Sequence, residues 1–135
     1  MLILTDAQRE AIVATCIRAL PDEGCGLLLG SSSGLDATVH EVVASENVAH
    51  SAKVYEIDSR VLLKTVRRAD DEGIEVIGVF HSHTHSHAYP SPTDVRQAPD
   101  PNWHYVVVSL AEVPSVIKSF HIRDGAVEPE DVVSR

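Results

Sequence analysis

From Thr5 onward the chain repeats apolar positions with a helical period. Ile12, Val13, Cys16, Ile17 and Leu20 recur at three- and four-residue steps, and Gln8 follows Thr5 in the arrangement of a capping box. The spacing predicts an amphipathic helix over 6–19, ended by Pro21. The pattern then changes. CGLLLGS is too short and too closely flanked by glycine for a helix, and predicts a buried strand over 25–31, followed by the turn SSGLD and a second strand over 38–44. Residues 54–57 read as a short extended piece. Asp58 or Ser59 can cap a second helix whose apolar face holds Val61, Leu62, Thr65, Val66 and Ala69, and which Gly73 closes. Three β-rich segments follow: EVIGVFHSH at 75–83, HYVVVSL at 104–110 and SVIKSFHIRDG at 115–125. This order predicts an α/β (α+β) chain with a mixed central β-sheet flanked by at least two helices, organised as one domain over 1–135.

Composition narrows the partners more than the fold. A chain of 135 residues with 44% hydrophobic content is long enough to bury a core without disulfides or a structural metal. No apolar run approaches the roughly 20 residues that span a bilayer, and MLILTDAQRE lacks the basic region and cleavage site of a signal peptide. The expected location is the cytoplasm, and there the two cysteines, Cys16 and Cys25, read as buried thiols. With 11 basic residues against 20 acidic ones, the net charge of −9 excludes nucleic acid or an anionic membrane surface as the expected partner.

The chemistry concentrates in HSHTHSHAYPSPTD, residues 81–94. The first two histidines end a predicted strand, where residues i and i+2 point to one side with Cα atoms about 6.5 Å apart, so His81 and His83 can reach one ion. On a helix the same pair would diverge. A catalytic zinc takes three protein ligands and leaves a fourth position to water. Asp94 is the best third ligand, because Ser91-Pro92-Thr93-Asp94 reads as a helix start that turns the chain back. Taken alone, the segment fits a solvated histidine-rich loop before an ordinary capped helix equally well.

The spacing H-x-H, seven residues, S, two residues, D resembles the signature of the JAMM (MPN+) zinc metallopeptidases, and only the register His81, His83, Ser91, Asp94 satisfies it. Starting from His83 and His85 would put Thr93 and Arg96 in the serine and aspartate places. The family also carries a glutamate beside a glycine-rich strand, and PDEGCGLLLG supplies Glu23. The likeness continues through NVAHSAKVYEIDS, HYVVVS and FHIRDGAV. These segments look closest to the small actinobacterial members that release cysteine from a ubiquitin-like sulfur-carrier protein.

The resemblance implies the MPN/JAMM (cytidine-deaminase-like) fold and one Zn2+ per chain on His81, His83 and Asp94. It also implies Glu23 as general acid/base and Ser91 as oxyanion donor, with Asn47 and Tyr55 in the segment that lines the substrate groove. The implied partner is a ubiquitin-like sulfur carrier ending in Gly-Gly. A homodimer is left open. Thr84 stands where the deubiquitinases of the family often have proline, and the chain has no room for the insertions with which they grip ubiquitin.

Other residues take plainer readings. Cys25 lies in an apolar strand, where a buried thiol is commoner than a nucleophile. His85 and His87 extend the alternating run beyond the filled ligand set and are expected at the rim. His104 and His121 read as structural histidines, and Trp103 as core or rim packing. Two other identities remain beside the carrier-cleaving peptidase: an isopeptidase acting on a ubiquitin-like modifier, and a non-catalytic MPN scaffold. The scaffold members usually lack one or more ligands, whereas here all five family positions are filled. A histidine-rich metal store would need more soft ligands than this chain offers.

Overall fold

The computed structural model describes residues 1–135. Its elements run β1 (Leu2–Leu4), α1 (Asp6–Ala19), β2 (Cys25–Ser33), β3 (Asp36–Ser45), α2 (Ser59–Glu72), β4 (Glu75–His83), α3 (Pro92–Arg96), β5 (His104–Ser109), β6 (Val116–Arg123), β7 (Ala126–Glu130) and β8 (Val132–Ser134). The Thr5 hydroxyl accepts from the Gln8 N–H, and the Gln8 side chain accepts from the Thr5 N–H, so the expected capping box starts α1. At the second helix Asp58 is the cap, and Gly73 ends the helix at a φ of 69° that suits its missing side chain.

The helices bury less than the sequence pattern suggests. On α1 the buried stripe is Ile12, Thr15 and Cys16, with Val13 packed beside it, while Ile17 and Leu20 are about half exposed. Each residue turns the helix by about 100°, so Ile17 falls past the edge of a contact with one flat sheet. Thr15 is tolerated inside because its hydroxyl donates to the Ala11 carbonyl at 2.9 Å. On α2 only Thr65 and Ala69 are fully buried; Val61 and Leu62 are half-buried and Val66 is exposed.

Eight strands form one mixed sheet in the order β7-β6-β5-β4-β2-β3-β1-β8. The centre is antiparallel, β2 against both β3 and β4, and β4 then runs parallel to β5. Three strands were not legible in the sequence. β1 and β8 are three residues each, too short to show a period, and β7 contains Pro129 and two glutamates. β7 and β8 lie at opposite ends of the strand order yet are separated in the chain only by Asp131, so the sheet curls until its ends meet.

Alternation sorts the core. Leu28, Phe80, Val106 and Val108 face α1 with Ile12 and Cys16, while Val79, Tyr105 and Ile122 face the other side, where Tyr55, Ile57 and Trp103 cover them. His81 and His83 follow Val79 at two-residue steps and therefore continue onto that second face. No helix is long and apolar enough to cross a membrane.

The backbone is closely approached at Gly26, where a β-carbon would lie 2.3 Å from the Val43 carbonyl oxygen and 2.4 Å from the Phe80 ring. Gly26→Ala is expected to destabilise the chain by about 1–3 kcal/mol, the range of overpacked cores. Urea unfolding checks this: a midpoint equal to the parent's would contradict the close approach.

Candidate metal centre

The centre lies at the end of the sheet where β4 stops. His81 and His83 close that strand, and Asp94 is the third residue of α3, which Ser91 caps. The Ser91 hydroxyl accepts from the Asp94 N–H at 3.1 Å, and the Asp94 carboxylate accepts from the Ser91 N–H at 2.8 Å. This second capping box fixes the carboxylate with one oxygen toward the histidines. His81 Nε2 and His83 Nε2 are 3.2 Å apart, and each is 3.0 Å from Asp94 Oδ2. All three residues are buried.

The geometry fits a tetrahedral ion. Ligands about 2.0–2.1 Å from zinc are separated by about 3.3 Å along a tetrahedral edge, close to the spacing of these three atoms. The donor chemistry agrees. The His83 Nδ1–H donates to the His87 carbonyl at 2.9 Å, which turns the lone pair of Nε2 toward the centre. Burial keeps His81 below its ordinary pKa against the pull of Asp94, so its imidazole is neutral, as a ligand must be. Tyr55 stacks on the same ring, with centroids 4.2 Å apart and planes 14° apart, and so fixes its tilt. For His83, burial is outweighed by Asp94 and the His87 carbonyl, and the pKa is raised. Burial alone would also raise Asp94, but the contacts with His81 and His83 and the Ser91 N–H outweigh it and hold the carboxyl well below its usual range.

Glu23 arrives from the turn before β2 and is 3% exposed, where a carboxylate after a proline would ordinarily be solvated. Its backbone is pinned on three sides. The Glu23 N–H donates to the Ser51 carbonyl at 2.8 Å, and the Asn47 amide donates to the Glu23 carbonyl at 3.0 Å. Next to it, the Gly24 N–H donates to the Ser82 hydroxyl at 2.8 Å, while the Ser82 N–H returns a bond of 3.0 Å to the Gly24 carbonyl. The carboxyl itself is left with a buried oxygen, Oε1, that has no partner. Burial pushes its pKa up to about 8, in the fields of His83, which lowers it, and Asp94, which raises it.

Asn47, expected on a groove wall, has no free amide. Its Nδ2 is engaged by the carbonyls of Glu23, Ser51 and Val54, and its oxygen accepts from the Ala49 and Glu56 N–H groups. It organises the loop rather than offering a contact. Tyr55 has one face on His81 and borders a small apolar groove of about 190 Å³ with Leu27, Ile57, Leu62, Val79 and Trp103.

His85 and His87 are exposed beside the centre and send no ring nitrogen into it. Cys25 is fully buried with its thiol pushed up to about 12 by burial, which removes the thiolate a nucleophile needs. Two contributors were invisible in the sequence. The His87 backbone oxygen and the Ser82 hydroxyl act through contacts that spacing does not encode, although Ser82 stands between the two histidines.

The arrangement has relatives. The profile described as "Prokaryotic homologs of the JAB domain" matches residues 5–123. A Mycobacterium tuberculosis protein named CysO-cysteine peptidase is 38% identical over 129 residues, 93% of this chain and 87% of that protein. A Haloferax volcanii desampylase is 33% identical over 90 residues, 66% of this chain and 63% of its own length. Among solved structures, a Desulfitobacterium hafniense protein superposes with a TM-score of 0.92 at 38% identity, covering 100% of this chain and 93% of that one. With the profile spanning β2, β4 and α3, and thus every residue of the buried His-His-Asp cluster and Glu23, the chain belongs to the prokaryotic JAB-domain family.

Proposed function

We propose that this chain is a zinc metallopeptidase that hydrolyses the amide bond after the C-terminal Gly-Gly of a ubiquitin-like sulfur-carrier protein and releases cysteine. The observation that carries the reading is the unpartnered, buried carboxyl of Glu23 in the field of His83 and Asp94. A scaffold gains nothing from burying such a group. The likeness to a protein named CysO-cysteine peptidase supports the substrate. Cys16 and Cys25, both buried and unpaired, suit a reducing cytoplasm.

His81, His83 and Asp94 would hold one zinc ion, which when bound would supply Lewis acidity for the scissile carbonyl and lower the pKa of water toward neutrality. The remaining work falls to the chain. Glu23 takes a proton from the attacking water and delivers it to the departing amine nitrogen. Its pKa, pushed up to about 8, is set by burial, and a nearby cation favours the carboxylate form that acts as the base. The helix cap uses the Ser91 oxygen as an acceptor, so the hydroxyl proton stays available for the oxyanion that develops on the substrate carbonyl. Tyr55 keeps His81 in register and, with Ile57 and Trp103, forms an apolar wall for an extended tail. Glycines at the end of that tail let the backbone approach the centre closely. The similarity to a desampylase supports the second reading, cleavage of an isopeptide bond to a ubiquitin-like modifier by the same centre.

Five outcomes are expected. His81→Ala and Asp94→Ala each lose one equivalent of zinc relative to the parent. In the parent, zinc retention at this centre falls as the pH drops, because the raised pKa of His83 keeps the competing proton bound to higher pH than an ordinary histidine would. Metal analysis after dialysis across pH 5–8 reads both, and a full complement in either variant refutes the ligand set.

Glu23→Gln is expected to keep zinc and fold while turnover drops by about 10²–10⁴-fold. Ser91→Ala should lower kcat by about 10²–10³-fold with zinc unchanged. Rates within a few fold of the parent would remove these roles. Finally, mass spectrometry of a carrier ending in Gly-Gly-Cys should show loss of the terminal cysteine, with polyubiquitin cut poorly. Efficient cutting of ubiquitin chains with the carrier intact would overturn the substrate and favour the isopeptidase.

A further inference from the structure

A second cluster of histidines and a carboxylate lies at the far end of β5. His104 begins that strand and His121 lies on β6, one step beyond the Tyr105 to Phe120 pair, while Glu130 ends β7 opposite Ser119. Each offers a ligand atom, and these atoms fall within 4.8 Å of one another. His104 is 2% exposed, His121 9%, and the Glu130 side chain 5%. Five strand residues separate His104 from the level of His83, roughly 16 Å along β5, so the two clusters share no ligand.

Glu130 is ionised in this interior. Burial would raise its pKa, yet contacts from His104, the terminal ammonium and Ser119 bring it down to about 2. The Oε2 atom is satisfied, with His104 Nδ1 at 2.6 Å and the Ser119 hydroxyl donating at 2.7 Å. Oε1 is different. It is buried with no hydrogen-bond partner, although His121 Nε2 lies 3.3 Å away and the terminal ammonium 2.9 Å, neither aligned to donate. Burial lowers the pKa of His121 against the pull of Glu130, so this ring stays neutral and brings no charge to the carboxylate. The rings of His104 and His121 lie 4.7 Å apart.

We propose that His104, His121 and Glu130 form a second divalent-metal site, of the borderline imidazole-and-carboxylate class that zinc occupies. The site tethers β5, β6 and β7. The ion takes the place of the proton between His104 Nδ1 and Glu130 Oε2 and adds a second cation beside Oε1, which the terminal ammonium already approaches to 2.9 Å. Glu130 Oε1 and His121 Nδ1, both buried without a hydrogen-bond partner, mark the place. A cavity of about 370 Å³ adjoins the cluster, lined by both histidines together with Glu75, Asp100 and Arg123, and gives an ion its way in. With three protein donors the fourth position is left to water, as a tetrahedral ion allows.

Zinc alone is the probe. Equilibrium dialysis of the parent should reach two equivalents per chain. The double variant His81→Ala/Asp94→Ala, stripped of the centre on β4 and α3, should keep one. Adding His121→Ala or Glu130→Gln to that double variant should abolish the remaining equivalent and the rise in Tm that zinc gives it. Peptidase turnover in the single His121→Ala protein should stay at the parent's level, which separates this site from the proposed catalytic one. A parent that saturates at one equivalent, or a double variant that binds none, overturns the proposal and leaves the cluster as a hydrogen-bonded clasp.

Discussion

The pairing of β2 with β4 is the constraint on which the centre rests. β4 carries both histidines and β2 begins two residues after Glu23, so the register Cys25 to His81 decides how far the glutamate lies from them. Beyond the last regular pair, Ser82 and Gly24 exchange two further bonds, one of them through the serine hydroxyl. These bonds work only because the backbones can approach. A β-carbon on Gly24 would come within 2.5 Å of the Cys16 Cα, and one on Gly26 would enter the Phe80 ring. Helix α1 therefore presses the glutamate-bearing turn onto the sheet, and the small residues of the turn are what permit it.

Burying two carboxyl groups beside two imidazoles is costly unless each is given a different environment. Asp94 receives the Ser91 N–H and lies against both histidines, and its charge is held. Glu23 receives no donor on its buried oxygen and is pushed toward its neutral form. Two residues of the same chemical class are thereby pulled apart in proton affinity, the usual arrangement where one carboxylate binds and another moves protons. The loop between β4 and α3 contributes a further element of order. His87 exposes its ring to solvent while its carbonyl orients His83, so this residue acts through its backbone.

The closing of the sheet raises the same problem at the other end. β7 and β8 are consecutive, and the strand that leaves β6 must cross to β1 within one residue. Glu130 lies at that crossing, where it contacts β5, β6 and the start of the chain. An ionised group at such a junction ties the ends together, but only while its charge is matched.

The family signature chose among the histidine registers; the sequence by itself determined the first helix to the residue and the central strands to within a few residues, because helical period, strand alternation and capping chemistry are local. Asp94 was legible for the same reason: a capped helix start fixes where its carboxylate turns. Glu23 was legible only through resemblance, since nothing near it announces burial. The depth of α1 and α2, the strands β1, β7 and β8, the amide of Asn47 turned inward and the Glu130 cluster were decided by tertiary structure. In each case the partner is distant in the chain, as Glu130 is from His104, and the energy comes from desolvation and hydrogen-bond matching. No periodic pattern along one segment can record these.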